Sequence, residues 1–73
     1  MKMIVESQDV LGGKPRIDGT RISVGTIISY FINGYSIHDI KRDYPHLTDE
    51  QIEAAREYVV KHPKKFNLEL EKA

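Results

Sequence analysis

Residues 13–23 read GKPRIDGTRIS, and across them the chain passes from strand chemistry to helix chemistry. Asp18-Gly19 lies between two short segments rich in Ile, Thr and Arg, a setting in which an Asp-Gly pair signals a tight β-hairpin. A two-residue loop places Ile17 opposite Thr20 and Arg16 opposite Arg21. Alternation then puts Pro15, Ile17, Thr20 and Ile22 on an apolar face and the two arginines on the other. Like charges directly opposed weaken a sheet. The pair therefore calls either for a bound anion or for a neighbouring acid such as Glu6, Asp9 or Asp18. Pro15 has no N–H to give to a ladder, so its strand is short or lies at an edge.

Upstream, Met3-Ile4-Val5 suggests an edge strand, and Gly12-Gly13 ends any regular element before the hairpin. Downstream, the pattern changes to three helices, predicted over 24–33, 37–43 and 49–61. Ser23, Ser36 and Thr48 are good N-cap residues. Each is preceded by a side chain able to pack on the one four places beyond the cap: Ile22 on Ile27, Tyr35 on Ile40 and Leu47 on Ile52. Thr48 with Gln51 matches a capping box, and Ser36 with Asp39 is a shorter-armed version. Asn33-Gly34 supplies a left-handed stop for the first helix. Pro45 and Pro63 force Tyr44 and His62 into extended conformations and so end the other two.

The helical stripes predict the core: Val24, Ile27, Ile28, Phe31 and Ile32 from the first helix, Ile37, Ile40 and Tyr44 from the second, Ile52, Ala55 and Val59 from the third. The fold expected is mainly α: a short N-terminal β-hairpin, then a three-helix, helix-turn-helix-like bundle, then an extended C-terminal tail. As domains this gives a hairpin-plus-helices unit over 1–62 and a tail over 63–73. In that tail Phe66, Leu68 and Leu70 alternate with polar residues, the pattern of a linear segment that docks on a partner.

Composition narrows the function classes. A chain of 73 residues buries only about 60% of the surface it exposes unfolded, which favours oligomerisation. The opposite face of the first helix (Gly25, Thr26, Ser29 and Asn33) is small and uncharged, and no charged residue occurs between Ile22 and Ile37. Such a face suits close approach of a second copy, so a homodimer is expected there. The absence of cysteine and of any long apolar run points to the reducing cytoplasm rather than to secretion or a membrane span.

The 11 basic and 11 acidic residues balance, which excludes a uniformly basic nucleic-acid binder. Between Lys14 and Arg42, however, five basic residues (Lys14, Arg16, Arg21, Lys41 and Arg42) meet only two acids. These five are the candidate DNA-binding residues. The third helix presents Asp49, Glu50, Glu53 and Glu57 outward, which is unfavourable beside phosphates.

No catalytic set converges. His38, His46 and His62 are scattered, and Gly12-Gly13-Lys14 lacks the rest of a phosphate-binding loop. An enzyme is not expected, and neither a cofactor nor a metal is called for.

Taken together, GKPRIDGTRIS and GYSIHDIKRDYPHLTDEQIEAAREYV resemble the domain of unknown function 433, a family regarded as small helix-turn-helix-like antitoxins of the VapB type. The resemblance runs from about Val10 to Val60. Its most specific elements are Gly13, Pro15, Gly19-Thr20-Arg21, the Gly34–Ile40 segment, Tyr44-Pro45, Leu47 and Ile52. It implies an antitoxin of a toxin-antitoxin pair, a toxin partner of the PIN-like ribonuclease type, and transcriptional autoregulation through operator DNA bound as a dimer. Asp18 stands where a basic or neutral residue is usual and Ser23 where proline is common. The opposing reading is a stand-alone DNA-binding or protein-interaction module with no toxin.

Overall fold

The computed structural model describes residues 3–66. In chain order it contains β1 (Ile4–Val5), β2 (Arg16–Ile17), α1 (Val24–Ile32), α2 (Ile37–Asp43) and α3 (Asp49–Lys61). A turn at Leu11–Gly13 and a single 3-10 turn at Pro63–Phe66 complete the course. The chain is a short antiparallel hairpin followed by a three-helix bundle.

All three caps form. The Ser23 hydroxyl accepts the Thr26 N–H at 3.0 Å. Ser36 and Asp39 cap reciprocally, the Ser36 N–H donating to the Asp39 carboxylate at 2.8 Å. Thr48 and Gln51 do the same, with distances of 2.8 and 3.1 Å. At the end of α1 the Tyr35 N–H donates to the Tyr30 carbonyl at 2.8 Å and the Gly34 N–H to the Phe31 carbonyl at 3.0 Å. This paired closure needs a left-handed residue, and Gly34 takes it with φ 85°.

The hairpin register differs from the one the Asp18-Gly19 pair suggests. The Thr20 N–H closes a turn onto the Ile17 carbonyl, but the Ile17 N–H donates to Ile22 and the Val24 N–H to Pro15. Arg16 is bridged to Ser23, not to Arg21. The Thr20 hydroxyl causes the shift: it donates to the Ile17 carbonyl at 2.8 Å and accepts the Ile22 N–H at 3.0 Å, so the loop holds four residues instead of two. The regular pairing of Arg16–Ile17 is with Val5 and Ile4 on the other side.

The core consists of Ile17, Val24, Ile27, Ile40, Leu47, Ile52, Ala55 and Val59, all buried. Ile4, Ile22, Ile28, Phe31, Ile37 and Tyr44 pack around it half-buried. Two expectations fail here. Ile32, the last residue of α1, is 59% exposed. Tyr35 is 52% exposed and packs edge-on against Tyr30, with ring centres 5.8 Å apart, rather than stapling onto Ile40. The glycine closure places Tyr35 over Tyr30, and that contact commonly accompanies it.

Candidate functional site

The five cations predicted to meet DNA fall into two groups. Arg16 is half-buried and works inside the molecule: its guanidinium donates to the Thr20 carbonyl at 3.3 Å and to the Ser7 hydroxyl at 3.1 Å. Its Nε is buried without a partner. Lys41 is paired with Asp49 across the α2–α3 junction at 2.7 Å, and Arg42 with Asp39 one turn back at 3.1 Å. Lys14 and Arg21 are exposed and make no ion pair among the described residues. The repulsion implied by opposed arginines does not arise, since the shifted register separates them.

The small-residue face of α1 opens into two concavities. Gly25, Thr26 and Ser29 line a groove of about 480 Å³ together with Lys14, Pro15, Ser23, Lys65 and Phe66. Residues from three separate sequence expectations therefore meet: a DNA-binding cation, the dimer face and the first partner-binding residue. Asn33 lies apart, in a notch of about 340 Å³ that it shares with Ser29, Tyr30, Tyr35, Arg42 and Asp43. There the Tyr30 hydroxyl donates to the Asp43 carboxylate at 2.6 Å. That hydrogen bond, with partial desolvation, pushes the Tyr30 phenol up to about 12.

Phe66 does not open an extended segment. It ends the 3-10 turn and packs edge-on against Tyr58 at 6.1 Å, half-buried on the body. A three-group clasp holds this turn. The Tyr58 hydroxyl donates to Glu6 at 2.9 Å, and the Lys65 ammonium donates to both Glu6 and Tyr58 at 2.9 Å. The Lys65 and Tyr58 bonds hold the Glu6 carboxyl below its ordinary 4.5. The same contacts hold the Lys65 ammonium up to about 12. Sequence reasoning missed this clasp because its members are 52 and 59 positions apart, and no local pattern announces it. Leu68 and Leu70, the other predicted partner-binding residues, lie outside the described residues.

The outer face of α3 is acidic as expected, with Asp49, Glu50, Glu53 and Glu57 all exposed. Arg56 pairs with Glu53 at 2.8 Å and lies 5.1 Å over the Phe31 ring, joining α3 to α1. Among the described residues no three His, Asp or Glu side chains are grouped to hold a metal ion, and no helix is long and apolar enough to cross a membrane.

Comparison with curated proteins finds no match. Among solved structures, the chain is similar to a DUF433 member protein from Anabaena variabilis ATCC 29413, with 34% identity and a TM-score of 0.84. The likeness covers 89% of this chain and 64% of that one, so this chain spans less than two thirds of its neighbour's length. The family model for "Protein of unknown function (DUF433)" matches residues 4–59, a span that contains both strands, all three caps and the whole buried core. The chain therefore belongs to the DUF433 family.

Proposed function

We propose that this protein is a non-enzymatic, cytoplasmic antitoxin: the body binds operator DNA as a homodimer, and the chain from Phe66 onward neutralises a PIN-like ribonuclease toxin. The observation that carries the reading is the division of labour along the chain. The buried core is closed by residues 17–59, inside the family-matched span. The alternating Phe66, Leu68 and Leu70 lie beyond it. An extended segment beyond Phe66 would turn Leu68 and Leu70 to one side, and burying each on a partner would contribute about 1.5–3 kcal/mol before ordering costs are subtracted.

Phe66 anchors the segment to the body through Tyr58 and delivers Leu68 and Leu70 to the partner. Lys14 and Arg21 supply the phosphate contacts, because their charges are not neutralised by a described acid. No cofactor enters.

The test compares the full chain with a truncation after Phe66, which leaves the clasp and every core residue in place. The truncated protein is expected to melt like the full chain and to fail to rescue cells that express the toxin encoded by the neighbouring gene. Rescue by the truncated form would move the inhibitory surface onto the folded body. Absence of any toxin beside the gene, with DNA binding retained, would establish the stand-alone module instead.

A further inference from the structure

We infer that the homodimer is built by reciprocal insertion of Arg42 of each copy into the Tyr30–Tyr35–Asp43 notch of the other. This rests on the homodimer part of the function proposed above and names the contact that makes it.

The notch has walls suited to a guanidinium. Tyr30 and Tyr35 pack edge to face at 66° with ring centres 5.8 Å apart and both line the notch, and arginine favours aromatic faces. Beside them lies Asp43. Its carboxylate accepts the Tyr30 hydroxyl but has no cation partner among the described residues. A carboxylate has room for several donors, so one oxygen taken by a phenol leaves capacity for a guanidinium fork. Ser29 and Asn33 complete the lining, both short and uncharged.

The occupant follows from the charge pattern of the same notch. Arg42 and Asp43 are adjacent in sequence and both line it, so the surface carries one cation beside one unpaired anion. A two-fold contact places residue i of one copy against residue j of the other and the reverse. A patch of that composition is complementary to itself. The notch brings an aromatic pair, a carboxylate without a described cation partner and an exposed arginine together.

Releasing Arg42 costs little. Its side chain is 70% exposed and its ion pair with Asp39 is an i,i+3 surface contact, a weak class. Asp39 is not orphaned by the exchange, because the Ser36 N–H and hydroxyl already bond to it at 2.8 and 3.1 Å.

Sedimentation velocity over a concentration series would test the contact, with Arg42→Asp, Asp43→Lys, the double variant carrying both changes, and Ser29→Arg. Thermal melting of each variant checks that it folds. Each single reversal sets two like-charge encounters into the symmetric interface, so each is expected to weaken dimerisation about a hundredfold. The double variant restores opposite charges on both sides and should return to within about threefold of the wild type. Ser29→Arg, which crowds the same notch, should also dissociate the dimer.

A wild-type dimer indifferent to both single reversals would overturn the Arg42 contact while leaving the homodimer standing. So would weakening by the singles without recovery in the folded double variant. Loss of toxin capture by Asp43→Lys with an unchanged dimer would assign the notch to a different chain and overturn it as well. A wild type that stays monomeric at millimolar concentration would remove the homodimer and this contact together, without touching the toxin-rescue result.

Discussion

Replacing both Lys14 and Arg21 by alanine should flatten the salt dependence of DNA binding without unfolding the protein. Each phosphate neutralised by a cation contributes about 0.9 to the slope of log affinity against log salt on duplex DNA. Two such cations per chain, doubled in a dimer, give a loss of up to about 3.6. Both side chains are exposed and neither makes an ion pair among the described residues, so the substitution removes charge and little packing. Arg16→Ala is the contrasting control. It leaves the Ser7 hydroxyl and the Thr20 carbonyl without their donor, a loss of about 1–3 kcal/mol of stability, while the slope stays near the wild-type value. Fluorescence anisotropy of a labelled duplex from the gene's own upstream region, titrated between about 50 and 200 mM salt, would read both slopes. An unchanged slope in the Lys14 and Arg21 variant would refute the assignment. A flattened slope in Arg16→Ala would show that Arg16 leaves Ser7 and Thr20 to meet DNA.

Two further outcomes follow from single residues. Gly34→Ala should cost about 1 kcal/mol, equivalent to about 4–8 °C of melting temperature in a domain this small. A Cβ there meets nothing within 4 Å and φ is +85°, so the whole penalty is backbone conformation, and an unchanged melt would show that the closure of α1 is not held by that residue. The clasp predicts a pH effect of definite sign. Glu6 is held below its ordinary 4.5, first by the Lys65 hydrogen bond and then by Tyr58. A depressed carboxylate contributes stability that is complete above the unfolded value and is lost as pH falls through the lower folded value. Wild-type protein should therefore exceed Glu6→Gln in urea midpoint at pH 7, with the gap closing below about pH 4.5; a gap that stays constant down to pH 3 would dismiss the ion pair as the cause.

The helices were legible because their signals are short-range. Ser23, Ser36 and Thr48 bond to N–H groups three residues ahead, Gly34 acts on the turn just before it, and Pro45 and Pro63 act on the residue before them. α2 and α3 span 37–43 and 49–61 as predicted, and α1 ends one residue early at Ile32. Of the apolar face expected for the hairpin, Ile17 is buried and Ile22 half-buried, while Thr20 lies in the loop.

Tertiary structure decided where the charges and the rim residues go. Asp18-Gly19 called for a two-residue loop, but the Thr20 hydroxyl and the pairing of Arg16–Ile17 with Ile4–Val5 selected another register, and with it the fate of Arg16. The partner of Lys41, Asp49, depended on where α2 ended and α3 began, whereas Arg42 met Asp39 one turn back within α2. The Glu6, Tyr58 and Lys65 clasp joined both ends of the described chain, and the Tyr30, Tyr35 and Asp43 notch formed only once α1 had closed and α2 had packed beside it. Backbone caps and stops are settled within one turn of chain, so a sequence carries them in full. A long polar side chain takes its partner from whatever the packed elements bring within about 3 Å, and that proximity exists only after the core around Ile27, Ile40 and Ile52 has formed.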